Sequence, residues 1–180
     1  MNRAATAALL AVAGLALVVA ATAAGALPKP KDEVIEVPKS IGGVELKTRI
    51  ERADRIWGRR GECDFSGFQS CAYESRDPRR GSASIEAARR GKVSSIAIYA
   101  GRNRRDRYVF EGPLLRFETE EGIRLGDRGR KVAKAYPEAI RTAHETGYLI
   151  EGRGRSYMTF QTLDKKHITA ITLVDGRNQG

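Results

Sequence analysis

The sequence contains few of the residues from which metal centres and nucleophilic active sites are built. Its 180 residues include two histidines, two cysteines and two methionines. His144 and His167 stand alone, without cysteine or carboxylate ligands at metal spacing. Ser66 does not lie in a G-x-S-x-G nucleophile elbow, and residues 152–155 lack the flanking pattern of a phosphate loop. We therefore expect no metal, no cofactor and no enzymatic activity, and a secreted enzyme of unknown type is the least favoured alternative.

Charge is absent between Arg3 and Lys29. The basic start is followed by a short apolar stretch at residues 9–19 and by small residues that contain an A-x-A site. These are the three parts of a secretory signal peptide, so residues 1–26 are predicted to direct export to the cell envelope or the extracellular space. An uncleaved anchor is the alternative, because ~20 uncharged residues can span a bilayer. We expect membrane contact only if this segment is retained.

The two cysteines, Cys63 and Cys71, lie close together in the sequence. An isolated close pair in an exported protein is typical of a disulfide. A metal or redox pair is the alternative, but the stretch lacks C-x-x-C spacing and has no neighbouring histidine. We predict a disulfide that closes a short loop.

Two parts of the chain resemble each other. Gly-Val-Glu-Leu-Lys-Thr-Arg at residues 43–49 aligns with Gly-Ile-Arg-Leu-Gly-Asp-Arg at 122–128, and residues 92–101 align with 167–176. Chance similarity in a composition-biased chain is the alternative explanation. We predict an α+β fold made of two tandem copies of a helix packed on a short antiparallel meander. The predicted segments are an exposed linker and first extended segment at 27–39, repeat unit 1 at 40–101, a connection at 102–118, repeat unit 2 at 119–176 and a tail at 177–180.

Both predicted helices have local signals at their ends. Thr48 and Glu51 have the spacing of a capping box, and Asp127 is predicted to cap the second helix. Pro137 is predicted to end the second helix. The apolar stripes are formed by Ile50, Ala53, Ile56 and Trp57 in the first helix and by Val132, Ala135 and Tyr136 in the second.

Alternating segments after the helices predict antiparallel strands with one solvated face. In residues 156–161, Met158 and Phe160 fall on one side of the strand, and Tyr157, Thr159 and Gln161 fall on the other. The segments around Ile96 and Ile98, and around Ile171 and Leu173, alternate in the same way.

The G-[VI]-x-L-x-[TD]-R entry at 43–49 and 122–128, followed by a capped helix and a meander, resembles the repeat of secreted beta-lactamase inhibitory proteins. It also resembles the small outer-membrane assembly lipoproteins of the SmpA/OmlA type. The resemblance extends over residues 40–176 and concerns architecture. It implies helices on one side of an antiparallel sheet, with the other face free to meet a partner. The lipoprotein cysteine is absent and no beta-lactamase-binding surface is identified, so inhibition is not carried over.

These features predict an exported, non-catalytic binding module that uses a sheet face to bind a protein partner. Tyrosine is a common anchor in protein interfaces. The candidate contacts are Tyr73, Tyr99, Tyr157, Thr159 and Gln161.

The net charge of +10 predicts, as the alternative function, electrostatic binding of anionic envelope polymers. An arginine-rich surface also serves solubility alone, so the two interpretations stay open. Nucleic acid is disfavoured because export removes the usual target and no recognition module is visible. The candidate anion-binding residues are Arg52, Arg55, Arg59, Arg60, Arg102, Arg104 and Arg105.

Overall fold

Strands make up most of the regular structure in the computed structural model, which describes residues 26–142 and 146–178. In chain order, the strands are β1 (Val34–Glu36), β2 (Ser40–Ile41), β3 (Val44–Glu45), β4 (Glu62–Asp64), β5 (Ser70–Glu74), β6 (Ser82–Ala88), β7 (Lys92–Tyr99), β8 (Gly101–Arg102), β9 (Tyr108–Val109), β10 (Glu118–Thr119), β11 (Ile140–Arg141), β12 (Gly147–Glu151), β13 (Ser156–Gln161) and β14 (Ala170–Asp175). The α-helices are α1 (Ile50–Ile56) and α2 (Arg130–Ala135). No helix in the two described ranges has the length and hydropathy needed to cross a membrane. The predicted signal peptide lies almost wholly outside these ranges and stays a prediction.

Eight strands form one large antiparallel sheet in the order β11-β12-β13-β14-β7-β6-β5-β4. The strands from β4 to β7 follow one another as a meander, and so do the strands from β11 to β14. The two runs meet where β7 pairs with β14, with Tyr99 opposite Ala170 and Ser95 opposite Val174. A four-stranded sheet has the order β10-β1-β2-β3, and β8 pairs with β9 in a short hairpin.

The predicted α+β architecture, two tandem copies of a helix packed on a short meander, is wrong. Both runs of strands belong to one continuous sheet, and the helices contain only seven and six residues. Strands account for 40% and helices for 18% of the structure, so the fold is mostly sheet. The similarity between the two parts of the chain predicts the order of their helices and strands. It does not indicate that the edge strands of the two meanders pair with each other. The β7–β14 pairing satisfies backbone groups that would otherwise form exposed edges on both runs.

The hydrophobic core lies between one face of the large sheet, here called the inner face, and the helices with the four-stranded sheet. Trp57, at the end of α1, is fully buried. Its ring contacts Tyr73 edge-to-face at 5.0 Å and Phe117 at 6.3 Å between centroids. Its Nε1–H donates to the carbonyl oxygen of Ile41 at 3.2 Å. One side chain thus connects α1 to both sheets.

The predicted apolar stripe of α1 is confirmed, but its predicted cap is wrong. Ile50, Ala53 and Trp57 are each 0% exposed. The N-cap residue is Arg49, and no side chain caps the helix. The Thr48 carbonyl accepts from Val93 N–H at 2.8 Å, so this segment pairs with β7 before the helix begins.

The second helix likewise begins later than predicted. Gly129 is the N-cap residue, and the Asp127 carboxylate instead accepts from Arg124 N–H at 3.1 Å and from Lys131 Nζ at 3.0 Å. The helix ends at Ala135, before Pro137, as predicted.

Residues 27–30 are packed against the protein and do not form the exposed linker that was predicted. Leu27 is 7% exposed and belongs to the core. Ala26 N–H donates to the Arg60 carbonyl at 2.8 Å, and Lys29 N–H donates to the Trp57 carbonyl at 3.1 Å. The rings of Pro28 and Pro30 are buried, whereas Lys29 between them is exposed.

Candidate partner-binding face

The face of the large sheet opposite the core, here called the outer face, carries small side chains along its centre. The alternation predicted for β13 is confirmed, because Met158 and Phe160 are fully buried whereas Tyr157, Thr159 and Gln161 are half-buried on the other side. The strand register aligns one residue from each of five strands in a row across the sheet. This central row consists of Ala72, Ser84, Ala97, Thr172 and Thr159.

The small side chains of the central row lie between rows that contain larger side chains, and this strip of the outer face is here called the trough. Ala97 is 1% exposed and so is Ala170, although both side chains point to the outer face. A methyl group on a flat open sheet remains accessible to water, so the larger neighbouring side chains must rise above these two alanines. Ala97 belongs to the central row and Ala170 to the row of Tyr99 and Gln161, and neighbouring side chains cover both alanines.

Four of the five predicted partner contacts lie on the outer face. Tyr99 aligns with Gln161 through Ala170, and it is 38% exposed. Thr159 lies in the central row, and Tyr157 lies in the row on its other side, opposite Val174. Two strand spacings and four residues separate Tyr157 from Tyr99, so their backbones are roughly 16 Å apart. The structure brings these residues together across the trough.

Tyr73, the fifth predicted contact, lies in the core and was wrongly chosen. It is 0% exposed and packs against Trp57. Its hydroxyl donates to Asp54 Oδ1 at 2.9 Å. Burial, together with the Asp54 carboxylate, raises the pKa of the Tyr73 hydroxyl far above its ordinary value. In β5, Cys71 and Tyr73 point to the inner face and Ala72 points to the outer face. The sequence of such a short strand does not indicate which of its residues point inward.

A cavity of about 540 Å³ lies at one end of the trough. Its lining includes Tyr99, Gln161 and Leu163, and Leu163 is 52% exposed. Tyr108 contributes from β9, and Pro78 contributes from the 3-10 turn between β5 and β6. The cavity joins aromatic and aliphatic surface to the polar groups of Gln161, Glu74 and Ser82. Sequence reasoning missed Tyr108 and Leu163 because Tyr108 lies in the two-residue strand β9 and Leu163 lies in a turn, and neither segment is long enough to show a periodic pattern.

Arg102 builds the wall of this cavity and does not extend freely into solvent. Its guanidinium donates to Asp106 Oδ1 at 2.6 Å and to the Tyr108 hydroxyl at 2.6 Å. Its Cζ lies 4.3 Å from the centroid of the Tyr108 ring. The Asp106 carboxylate raises the pKa of Arg102 above its ordinary value. These contacts fix the position of Tyr108 at the mouth of the cavity.

Four of the other six predicted anion-binding residues line two clefts. Arg104 and Arg105 line a cleft of about 890 Å³, together with Arg76 and with Arg79, whose guanidinium pairs with Glu111 at 2.6 Å. A second cleft, of about 740 Å³, lies beside α1. The basic residues that line it are Arg52, Arg55, Lys29 and Lys31. Arg59 and Arg60 follow α1 as exposed residues.

The predicted disulfide between Cys63 and Cys71 is confirmed. The two cysteines pair across β4 and β5, with their Cα atoms 4.0 Å apart. The Asp54 carboxylate lies near both sulfurs, but sulfurs joined in a disulfide do not act as thiolate metal ligands. Disulfides persist in oxidising compartments, so this bond is consistent with an exported protein.

His167 has a carboxylate partner that the sequence did not indicate. Its Nδ1 lies 2.8 Å from Asp164 Oδ2. Burial opposes ionisation of the Asp164 carboxyl, but hydrogen bonds from the backbone and ring of His167 and from Lys166 N–H hold its pKa below the ordinary value. This arrangement closes the turn between β13 and β14. His144 lies outside the described residues.

No protein-family model matches the sequence, and no curated protein matches it significantly. Among solved structures, the chain is similar to an extracellular protein containing an SCP domain from Bacillus anthracis str. Ames, with 13% identity and a TM-score of 0.47. The alignment covers 73% of this chain and 44% of that chain, so this chain spans less than half of that protein's length. A likeness of this extent assigns no family and no activity. The resemblance to inhibitory proteins and assembly lipoproteins stays a prediction.

Proposed function

We propose that this chain is an exported, non-catalytic binding protein of the cell envelope or extracellular space, whose outer face holds a protein partner. The observation that carries the proposal is the trough across the outer face with the cavity at its end. The small residues of the central row lie between rows with larger side chains, and Tyr99 and Leu163 provide exposed apolar surface at the cavity. The predicted signal peptide and the disulfide support export.

The outer face fits an extended segment of a partner with one larger side chain. The central row consists of small residues, and the larger side chains of Tyr99, Gln161 and Tyr157 lie in the rows beside it. The cavity falls within the roughly 300–1,000 Å³ typical of ligand pockets, and its polar groups lie beside the aromatic surface. Tyrosines at opposite corners of the trough supply anchors with few rotatable bonds.

Site-specific photo-crosslinking in the producing cell tests this proposal. A benzophenone amino acid is placed at Tyr99 in one variant and at Arg104, in the nearby basic cleft, in another. We expect a defined protein adduct from position 99, identified by mass spectrometry, and a much weaker one from position 104. Glu138, an exposed residue after α2, provides the background position.

Equal labelling from all three positions, or the absence of a protein adduct from position 99, would contradict the proposal. Adduct formation should also persist when the salt concentration is raised, because contacts in the cavity are largely apolar and are not screened.

Electrostatic binding of an anionic polymer is the second candidate function. The cleft with Arg76, Arg79, Arg104 and Arg105 favours it, because Arg76, Arg104 and Arg105 have no ion-pair partner among the described residues. Retention of the full chain on immobilised polyphosphate should fall steeply between about 50 and 200 mM salt. Replacing Arg104 and Arg105 with glutamine should weaken retention more than the same change at Arg52 and Arg55. Salt-insensitive retention, or equal effects of both pairs, contradicts this second function.

A further inference from the structure

The loop closed by the disulfide exposes two phenylalanine rings. Phe65 is 46% exposed and Phe68 is 68% exposed, the largest value among the exposed large hydrophobic side chains of the described residues. Phe117 and Phe160, by contrast, are each 0% exposed in the core. Exposed aromatic rings at adjacent points of one loop are costly to leave in water and indicate a contact surface.

Internal contacts hold this loop in one shape. The disulfide joins its two ends across β4 and β5. The Asp64 carboxylate accepts from Ser66 N–H at 2.7 Å and from the Ser66 hydroxyl at 2.6 Å. The Gln69 amide donates to the Phe65 carbonyl at 3.0 Å. Since the loop is already ordered, little conformational entropy is lost when the two rings are buried.

Two basic residues lie beside the loop at its end of the sheet. Ala87 N–H donates to the Gln69 carbonyl at 2.9 Å, which places the turn between β6 and β7 directly beside the loop. Arg90 and Lys92 are exposed in and after that turn. The nearby carboxylates are Asp64, which accepts hydrogen bonds from Ser66, Glu62, which is exposed at the start of β4, and Glu86, which is half-buried opposite Ser70.

We propose that this loop is a membrane-contact site, in which Phe65 and Phe68 enter the interface of an anionic lipid surface and Arg90 and Lys92 bind its headgroups. Interfacial binding scales with the apolar area buried and with attraction to anionic lipids. Phe65 and Phe68 supply the apolar area, and Arg90 and Lys92 beside the loop supply the positive charge. A stable protein interface buries roughly 800 Å² on each partner, and the residues beside the rings, Ser66, Gly67 and Gln69, offer little apolar surface for one. This site is separate from the outer face and does not require residues 1–26.

Fluorescence of a tryptophan introduced at position 68 tests the proposal in the full chain. The native Trp57 is fully buried, so the Phe68→Trp variant reports on the loop. We expect a blue shift and strong quenching when vesicles of phosphatidylcholine and phosphatidylglycerol contain brominated chains. The Ile140→Trp variant is the matched control, because Ile140 is 53% exposed on β11, at the opposite edge of the sheet. It should show little quenching even if the N-terminal segment tethers the chain.

Two further comparisons complete the test. Vesicles of phosphatidylcholine alone, or the substitutions Arg90→Asn and Lys92→Gln in the Phe68→Trp chain, should reduce the quenching, with apparent affinity lower by on the order of tenfold. Quenching at position 68 that is absent, or no greater than the quenching at position 140, would overturn the proposal. Protection of the introduced ring at position 68 only after a protein from the envelope is added would assign the loop to a protein partner and would also overturn it.

Discussion

The two faces of the large sheet are built from the same strands but carry side chains of different size. On the inner face, Phe160, Ile98 and Leu173 pack against the helices and the four-stranded sheet. On the outer face, the residues in between are alanine, serine and threonine along the central row. The inner face is where apolar burial stabilises the fold. The outer face presents the surface proposed to contact the partner. Substitutions on this face should therefore change binding more than they change stability.

Two tyrosines on the sheet illustrate this difference. Tyr73 and Tyr99 occupy strands of the same meander, yet Tyr73 is 0% exposed and Tyr99 is 38% exposed. Alternate residues of a strand point to opposite faces of the sheet, so the position of each tyrosine in its strand decides whether its ring packs in the core or faces solvent. The comparison between faces can be tested by substitutions, beginning with the largest expected effect.

Removing a large ring from the inner face should have the greatest effect on stability. Phe160→Ala is expected to lower the free energy of unfolding by about 3–5 kcal/mol, because it removes a fully buried ring and leaves a cavity. The neighbouring substitution Thr159→Ala, on the outer face, should change it by less than about 0.5 kcal/mol. Chemical denaturation measures both values. Similar losses for the two variants would show that the faces do not differ as described.

Removing the disulfide should have the next largest effect. The double substitution of Cys63 and Cys71 with serine is expected to cost roughly 2.6 kcal/mol, from the chain entropy of the opened loop. Thermal unfolding with and without reductant gives the same comparison in the native chain. A native chain whose midpoint is insensitive to reductant would contradict the stabilising role of this bond.

Removing the hydroxyl group should affect stability differently at Tyr73 and at Tyr99. Tyr73→Phe should lower the free energy of unfolding by about 1–2 kcal/mol, because the Asp54 carboxylate loses its hydrogen bond from the tyrosine. Tyr99→Phe should change stability by less than about 0.5 kcal/mol, since this ring is partly exposed. Urea denaturation of the two variants measures the difference. Equal effects would indicate that the Tyr73 hydroxyl contributes nothing beyond its ring.

Local patterns in the sequence predicted much of this structure. The stripe of Ile50, Ala53 and Trp57 follows from helical periodicity, and the alternation in residues 156–161 follows from the period of a strand. Both depend on neighbours in the sequence. The pairing of β7 with β14 joins residues about 75 positions apart, and local periodicity carries no information about such a partner.

The candidate site was predicted only in part for the same reason. Thr159, Gln161 and Tyr157 were found because they share one strand and one phase. Leu163 reaches the cavity from the turn after β13 and Tyr108 reaches it from β9, and only the fold brings them together. Phe65 and Phe68 carried a usable signal, since two aromatic residues stood among small and polar ones between paired cysteines.

The affinity of the Tyr99→Ala variant for the protein that crosslinks at position 99 tests the central claim most directly. We predict that affinity falls at least about tenfold while the free energy of unfolding changes by less than about 1 kcal/mol, because the ring lies on the outer face. Arg104→Ala, in the nearby basic cleft, should bind like the native chain. Unchanged affinity of Tyr99→Ala would contradict the assignment of the outer face as the binding surface.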